Sequence, residues 1–131
     1  MLLDGKGLVE QLRPQVTEVT CETVAQLISE QSPILFIDIR EPQETKLGTA
    51  IGSETVPRGV LEMKLANLPR YQALLKKSVA AEELPIYLLC RSGARSVLAA
   101  ASLQSMGYKN VYSVAGGYLD WQTKGLSTQG G

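Results

Sequence analysis

Two nearly uninterrupted apolar runs, at residues 34–39 and 86–90, constrain the fold of this chain more than any other feature. Strands that are buried on both faces read as continuous apolar runs, and they belong to parallel sheets covered by helices on both sides. Segments with helical periodicity alternate with these runs and with weaker strand patterns. The sequence therefore predicts an α/β fold with three layers, in which a parallel sheet lies between two layers of helices.

The remaining elements follow from the spacing of apolar residues and from residues that start or stop helices. Thr20 is a candidate N-cap for a helix over 21–30, and Gly107 is placed to end a helix over 96–106. Further helices are predicted at 41–47, 60–68, 69–77 and 118–123, and further strands at 16–20, 54–57 and 111–114.

The chain has 131 residues, which suffices for one domain with a hydrophobic core. We expect residues 1–15 to form an N-terminal extension that is partly helical, and residues 16–124 to form the domain. Residues 125–131 are polar and end in glycine, which predicts a flexible tail. The sequence contains no internal repeat.

Charge, cysteine content and histidine content exclude several classes of function. Thirteen basic residues balance thirteen acidic ones, so no global field favours nucleic acid or a membrane surface as a partner. The two cysteines, Cys21 and Cys90, are too few for a disulfide scaffold or an iron–sulfur cluster. The absence of histidine removes His-ligated zinc sites and Cys–His proteases. We therefore expect no metal and no other cofactor.

The first residues have neither the apolar core nor the cleavage site of a signal peptide, and no apolar run approaches the length of a membrane span. We therefore expect the protein to be cytoplasmic.

The segment from the second apolar run into the next helix is the candidate site. Cys90 ends the run, and the six residues after it are polar or small: Arg91, Ser92, Gly93, Ala94, Arg95 and Ser96. A tight loop between a strand and a helix N-terminus directs successive N–H groups and the positive end of the helix dipole at an anion. Such a loop stabilises a thiolate, so we expect Cys90 to be reactive. Cys21 lies outside this loop, and we expect it to be a packing residue.

This loop resembles the active-site loop of single-domain rhodaneses, the thiosulfate sulfurtransferases. Four other stretches resemble the family's pattern in the same order: 38–41 with Glu44, 48–53, 57–62, and Gly116-Gly117 with Trp121. One departure is Ala50, which stands in the second stretch where the family usually has histidine.

The resemblance implies a sheet of five parallel strands in the order 3-2-4-5-1, with the Cys90 loop after the fourth strand. It also implies that Cys90 takes a sulfane sulfur from thiosulfate or a persulfide donor, carries it as a persulfide, and passes it to cyanide or a thiol, including a protein thiol. The expected substrate-binding residues are Arg91, Ser92, Gly93, Ala94, Arg95 and Ser96, and for Ser96 a helix cap is an equal alternative.

Three residues outside the loop have expected supporting roles. Asp38 and Arg40 follow the first apolar run, and we expect them to form a buried ion pair that ties the strand end to the active loop. Arg58 belongs to a stretch that lies near the rim of the site in the related family, although a surface role is the simpler expectation.

Two other functions remain as alternatives. Phosphatases and arsenate reductases of a related fold place an arginine in a Cys-x5-Arg loop, whereas Arg95 makes this loop Cys-x4-Arg, which suits a single sulfur atom better than a phosphate. A non-catalytic rhodanese-like module that binds or regulates a partner is the second alternative. The presence of Cys90 counts against it, because such modules commonly lack the cysteine.

Overall fold

A computed structural model describes residues 1–77 and 79–131. The strands are β1 (Thr17–Val19), β2 (Leu35–Asp38), β3 (Thr49–Ala50), β4 (Glu54–Thr55), β5 (Ile86–Leu89), β6 (Val111–Val114) and β7 (Thr128–Gln129). Five of them form one sheet in the order β4-β2-β5-β6-β1, and every neighbouring pair is parallel. Counted along the chain, this order is 3-2-4-5-1, so the predicted topology is confirmed.

The helices are α1 (Gly5–Leu12), α2 (Cys21–Ser29), α3 (Pro42–Thr45), α4 (Leu61–Lys64), α5 (Pro69–Leu75), α6 (Arg95–Ser105) and α7 (Gly117–Thr123). Short 3-10 turns lie at Arg13–Gln15, Arg58–Val60, Leu65–Asn67 and Ala81–Glu83. The helix predicted over 60–68 is therefore one α-helical turn between two 3-10 turns. It ends before Leu68, which is extended because the residue before a proline disfavours helical geometry. None of the helices in the part of the chain that the structure describes combines the length and the apolar composition of a membrane span.

Side chains of the two central strands divide between the two faces of the sheet, because successive residues of a strand point to opposite sides. Leu35, Ile37, Ile86 and Leu88 belong to one buried cluster, which also receives residues of α1, α4, α5 and α6. Ile34, Phe36, Tyr87 and Leu89 belong to a second cluster, which is completed by residues of α2 and α7. This division explains the continuous apolar runs and establishes the three-layer α/β/α architecture.

The two ends of the chain contact the rest of the molecule. At the N-terminal end, α1 places Val9 in the first cluster. At the C-terminal end, β7 pairs antiparallel with β3, and Trp121 Nε1 donates a hydrogen bond of 2.9 Å to the carbonyl oxygen of Ser127. The structure thus differs from the flexible tail predicted over 125–131, because part of this segment forms a strand. Two-residue strands carry no periodic pattern, so the sequence did not indicate this pairing.

Candidate active site

The Cys90 sulfur lies at the start of the loop between β5 and α6, where backbone N–H groups point at it. Gly93 N donates to Cys90 Sγ at 3.1 Å, and Ser96 N donates at 3.4 Å. Cys90 is only 1% exposed. Gly93 can present its N–H because it has φ +98°, a backbone conformation that favours glycine. These donors and the N-terminus of α6 favour a negative charge on the sulfur.

A serine pair lies beneath the sulfur. Ser96 Oγ lies 3.4 Å from Cys90 Sγ and 2.7 Å from Ser113 Oγ. Ala94 is the N-cap residue of α6, so the Ser96 hydroxyl contacts the cysteine instead of capping the helix. Ser113 lies on β6 and was not singled out from the sequence. The signal that could have found it is a hydroxyl in an otherwise largely apolar strand.

The N-terminus of α7 supports the loop from behind. Tyr118 N donates to the Cys90 carbonyl oxygen at 2.8 Å, and Leu119 N donates to the Arg91 carbonyl oxygen at 3.1 Å. A Cβ at Gly117 would lie 2.5 Å from each of these two oxygens, and Gly117 has φ +58°. Glycine at this position therefore allows the backbone of α7 to approach the active loop.

The two arginines of the loop have different surroundings. Arg95 forms two hydrogen bonds with the Glu44 carboxylate, Nη1 to Oε1 at 2.9 Å and Nη2 to Oε2 at 3.0 Å. This contact with Arg95 lowers the pKa of Glu44 to about 2, against the opposing effect of partial burial. Arg91 is exposed, and no ion pair of Arg91 occurs among the described residues. The sequence predicts that both arginines bind an anionic substrate. In the structure, however, the guanidinium of Arg95 is already paired with the Glu44 carboxylate.

The other two loop residues have simple positions. Ser92 is exposed, beside Arg91, and Ala94 is half-buried at the first turn of α6.

Asp38 and Arg40 form a buried ion pair at the carboxyl end of β2. Arg40 Nη2 lies 2.8 Å from Asp38 Oδ2, and Arg40 Nε also donates to the carboxylate. Arg40 further donates to the Gly48 carbonyl oxygen at 2.9 Å and lies over the Tyr118 ring, 4.0 Å from its centroid. Because Tyr118 N holds the Cys90 carbonyl, this pair is connected to the active loop through α7.

Arg58 points to a different part of the surface. Its guanidinium forms a salt bridge of 2.9 Å with Glu62, and Glu62 also accepts a hydrogen bond from Ser102 on α6. Among the described contacts, Arg58 makes none with Cys90: it ties the 3-10 turn Arg58–Val60 to Glu62 on α4, and Glu62 in turn links α4 to α6.

Cys21 lies in the second cluster, whereas Cys90 lies in the first. Its sulfur is buried and lies 3.5 Å from the Gly117 carbonyl oxygen. Burial is the main cause that raises the pKa of the Cys21 thiol to about 11. A thiol of this kind remains protonated at neutral pH and is a poor nucleophile.

A surface pocket of about 250 Å³ opens beside the loop. It is lined by Arg40, Glu44, Leu47, Arg91, Tyr118, Leu119 and Gln122. The pocket shares Arg91 with the active loop, so a molecule bound there would lie next to the site.

Comparisons with known proteins show the family to which this chain belongs. Residues 20–124 match the Rhodanese-like domain family. A sulfurtransferase of Allochromatium vinosum is 28% identical over 85% of this chain and 92% of its own length. A putative mitochondrial thiosulfate sulfurtransferase of Schizosaccharomyces pombe is 37% identical over 69% of this chain and 64% of its own length.

Solved structures share the fold over nearly the whole chain. A polysulfide-sulfur transferase of Wolinella succinogenes superposes with a TM-score of 0.71, at 28% identity, over 96% of this chain and 87% of its own. A Rhodopseudomonas palustris protein of unknown function, described as a possible tyrosine phosphatase, superposes with a TM-score of 0.81, at 26% identity, over 98% and 96%. The family match covers most of the chain, and sulfurtransferases are among the relatives of this protein. This chain therefore belongs to the rhodanese-like domain family.

Proposed function

We propose that this protein is a sulfurtransferase that carries a sulfane sulfur as a persulfide on Cys90. The observation that carries the proposal is the geometry at Cys90. Its buried Sγ accepts hydrogen bonds from the backbone N–H groups of Gly93 and Ser96 at the N-terminus of α6. Relatives that are sulfurtransferases support the general activity. The donor, the acceptor and the persulfide itself are our proposals.

With thiosulfate as donor, the reaction is a double displacement. The Cys90 thiolate attacks the sulfane sulfur, a sulfur–sulfur bond to Cys90 forms, and the bond to the sulfonate sulfur breaks with its electron pair. Sulfite leaves, and Cys90 remains as a persulfide anion. Cyanide or a thiolate then attacks the outer sulfur, which gives thiocyanate or a new persulfide and restores the Cys90 thiolate.

The loop residues divide this chemistry between them. The N–H groups of Gly93 and Ser96 stabilise the thiolate and then the anionic persulfide. Arg91, which is exposed and directly follows Cys90 in the chain, binds the sulfonate of the donor. Arg95 is held by Glu44 and acts by fixing the first turn of α6 and adding positive charge near Cys90. Ser92 completes the rim of the loop.

We further propose that residues 16–124 carry this activity in the cytoplasm, without a cofactor. The acceptor is a small-molecule thiol, cyanide or the thiol of a protein, and the pocket beside Arg91 is where we place it. Nucleic acid and membranes are not proposed as partners, because the net charge is zero.

The decisive experiment is an intact-mass measurement after incubation with thiosulfate. We expect the protein to gain the mass of one sulfur atom, and we expect cyanide to remove it. Cys90→Ser should gain nothing, whereas Cys21→Ser, the matched control, should gain sulfur like the native protein. If the native protein gains no sulfur at saturating thiosulfate or polysulfide, the sulfurtransferase proposal is wrong and a non-catalytic module is the better interpretation.

A further inference from the structure

The hydroxyl groups of Ser113 and Ser96 form a chain that ends at the Cys90 sulfur. Ser113 Oγ lies 2.7 Å from Ser96 Oγ, which lies 3.4 Å from Cys90 Sγ. Ser113 reaches this position from β6 and Ser96 from the first turn of α6, and both are fully buried. Because burial removes water as an alternative partner, these groups have to satisfy one another.

The number of hydrogens in this chain depends on the charge of the sulfur. Two contacts join Ser113, Ser96 and Cys90, so the chain has room for two hydrogen bonds. With a neutral thiol, three hydrogens compete for these two contacts and one is left over. With a thiolate or an anionic persulfide, two hydrogens remain, and each has an acceptor: Ser113 donates to Ser96, and Ser96 donates to the sulfur.

The role of Ser113 follows from this direction of donation. Its hydrogen occupies a lone pair of Ser96 Oγ and leaves the Ser96 hydrogen free to point at the sulfur. Without such a donor, the lone pairs of Ser96 Oγ are equivalent and its hydroxyl can rotate about the Cβ–Oγ bond, so nothing fixes its hydrogen toward the sulfur. Hydrogen bonds in a buried chain also polarise one another, which strengthens the last bond to the anion.

We propose that Ser113 is a positioning residue for sulfur transfer, acting through Ser96 to hold Cys90 in its anionic form. This inference rests on the proposed function of Cys90. It adds a residue that lies outside the loop and approaches the reacting sulfur from the neighbouring strand of the sheet.

The test compares three substitutions at one position. Ser113→Ala removes the hydroxyl, Ser113→Thr keeps it with one added methyl, and Ser113→Val has the shape of the threonine without the hydroxyl. Threonine and valine share the cost of packing the methyl, so the difference between them isolates the hydrogen bond. Ser53→Ala is the control for loss of a buried serine hydroxyl, since Ser53 Oγ donates to the Ala50 carbonyl and has no contact with Cys90.

The first measurement is the rate of alkylation of Cys90 by iodoacetamide as a function of pH, in a Cys21→Ser background. The midpoint of this profile reports the stability of the thiolate, whereas its plateau reports access to the buried sulfur. We expect the midpoint to rise by about half a pH unit in the alanine and valine variants, which corresponds to the loss of one modest hydrogen bond. The threonine variant and Ser53→Ala should keep the native midpoint.

The second measurement is sulfite release in a single turnover with thiosulfate at pH 7. We expect it to slow by up to about threefold in the alanine and valine variants, since a shift of half a pH unit lowers the thiolate fraction by no more than that. A midpoint that is unchanged in both variants, with only the melting temperature lowered, would show that Ser113 is merely structural. Alkylation needs no sulfur donor, so this outcome is distinct from failure of the native protein to form a persulfide.

Discussion

The ion pair between Glu44 and Arg95 links α3 to the first turn of α6, and we predict that its loss destabilises the protein in a pH-dependent way. The informative substitution is Glu44→Gln. Glutamine keeps one oxygen that can accept from Glu41 N, the contact that caps α3, and it removes the charge together with one of the two oxygens that accept from Arg95. The change therefore tests the pairing with Arg95 and spares the local cap.

The size of the effect follows from the pKa of Glu44. Contact with Arg95 lowers this pKa from 4.5 to about 2, and at about 1.4 kcal/mol per pH unit the shift corresponds to an upper limit of about 3.4 kcal/mol. The two side chains are 36% and 25% exposed, for Arg95 and Glu44 respectively, so solvent screens the pair. We therefore expect Glu44→Gln to lower the free energy of unfolding by about 1–2 kcal/mol at pH 6.5.

The sign of the pH dependence is fixed by the direction of the shift. Because the pKa is lower in the folded state, the contribution of Glu44 is complete above pH 4.5 and is lost as the pH falls toward 2. Urea unfolding at pH 6.5 and at pH 3 should therefore show a difference between native and variant that shrinks by about half or more at the lower pH. A double-mutant cycle with Arg95→Gln should give a coupling energy of about 1 kcal/mol at pH 6.5. A difference that is equal at both pH values, or a coupling near zero, would refute this account of the pair.

Three further predictions concern the loop and its support. Gly117→Ala should lower the free energy of unfolding in urea by about 2 kcal/mol or more beyond the effect of Gly125→Ala. Both glycines have positive φ, but only at Gly117 would a Cβ lie 2.5 Å from two carbonyl oxygens, so equal losses would contradict the clash. Cys21→Ser should retain thiosulfate:cyanide turnover, and its loss in a folded variant would contradict a packing role for this buried thiol. The native protein should hydrolyse an aryl phosphate far more slowly than it turns over thiosulfate, and a faster rate with the phosphate would favour the phosphatase alternative.

The sequence predicted the sheet because its strongest signals come from burial. The runs at 34–39 and 86–90 are apolar on both faces, and helices do cover both faces of β2 and β5. The pairing of β3 with β7 was not predictable, because two residues establish no period and the partners are distant in the chain. The predicted helix at 60–68 is likewise divided into one α-helical turn between two 3-10 turns, a detail that the spacing of apolar residues does not carry.

The loop itself could be located from local sequence, because a cysteine, a glycine and the start of a helix all lie within six residues of one another. Its partners could not be located in this way. Glu44 lies 51 residues before Arg95, and Ser113 lies 17 residues after Ser96. Spacing along the chain carries no information about such contacts, which depend on the order of the strands and on the face to which each side chain points.

The two arginines of the loop illustrate how these distant contacts alter the chemistry. A guanidinium that is free to rotate can grip the oxygens of a phosphate, but Arg95 already places two donors on a carboxylate. Arg91 is exposed and directly follows Cys90 in the chain, so we propose it as the guanidinium that meets the charged end of a substrate. A donor such as thiosulfate separates its reacting sulfur from its sulfonate, and can put the first among the N–H groups around Cys90 while Arg91 meets the second. An oxyanion that reacts at its central atom, such as phosphate, needs the N–H groups and a guanidinium around that one atom. With Arg95 bound to Glu44, we therefore expect this loop to favour transfer of a single sulfur over reaction with a phosphate.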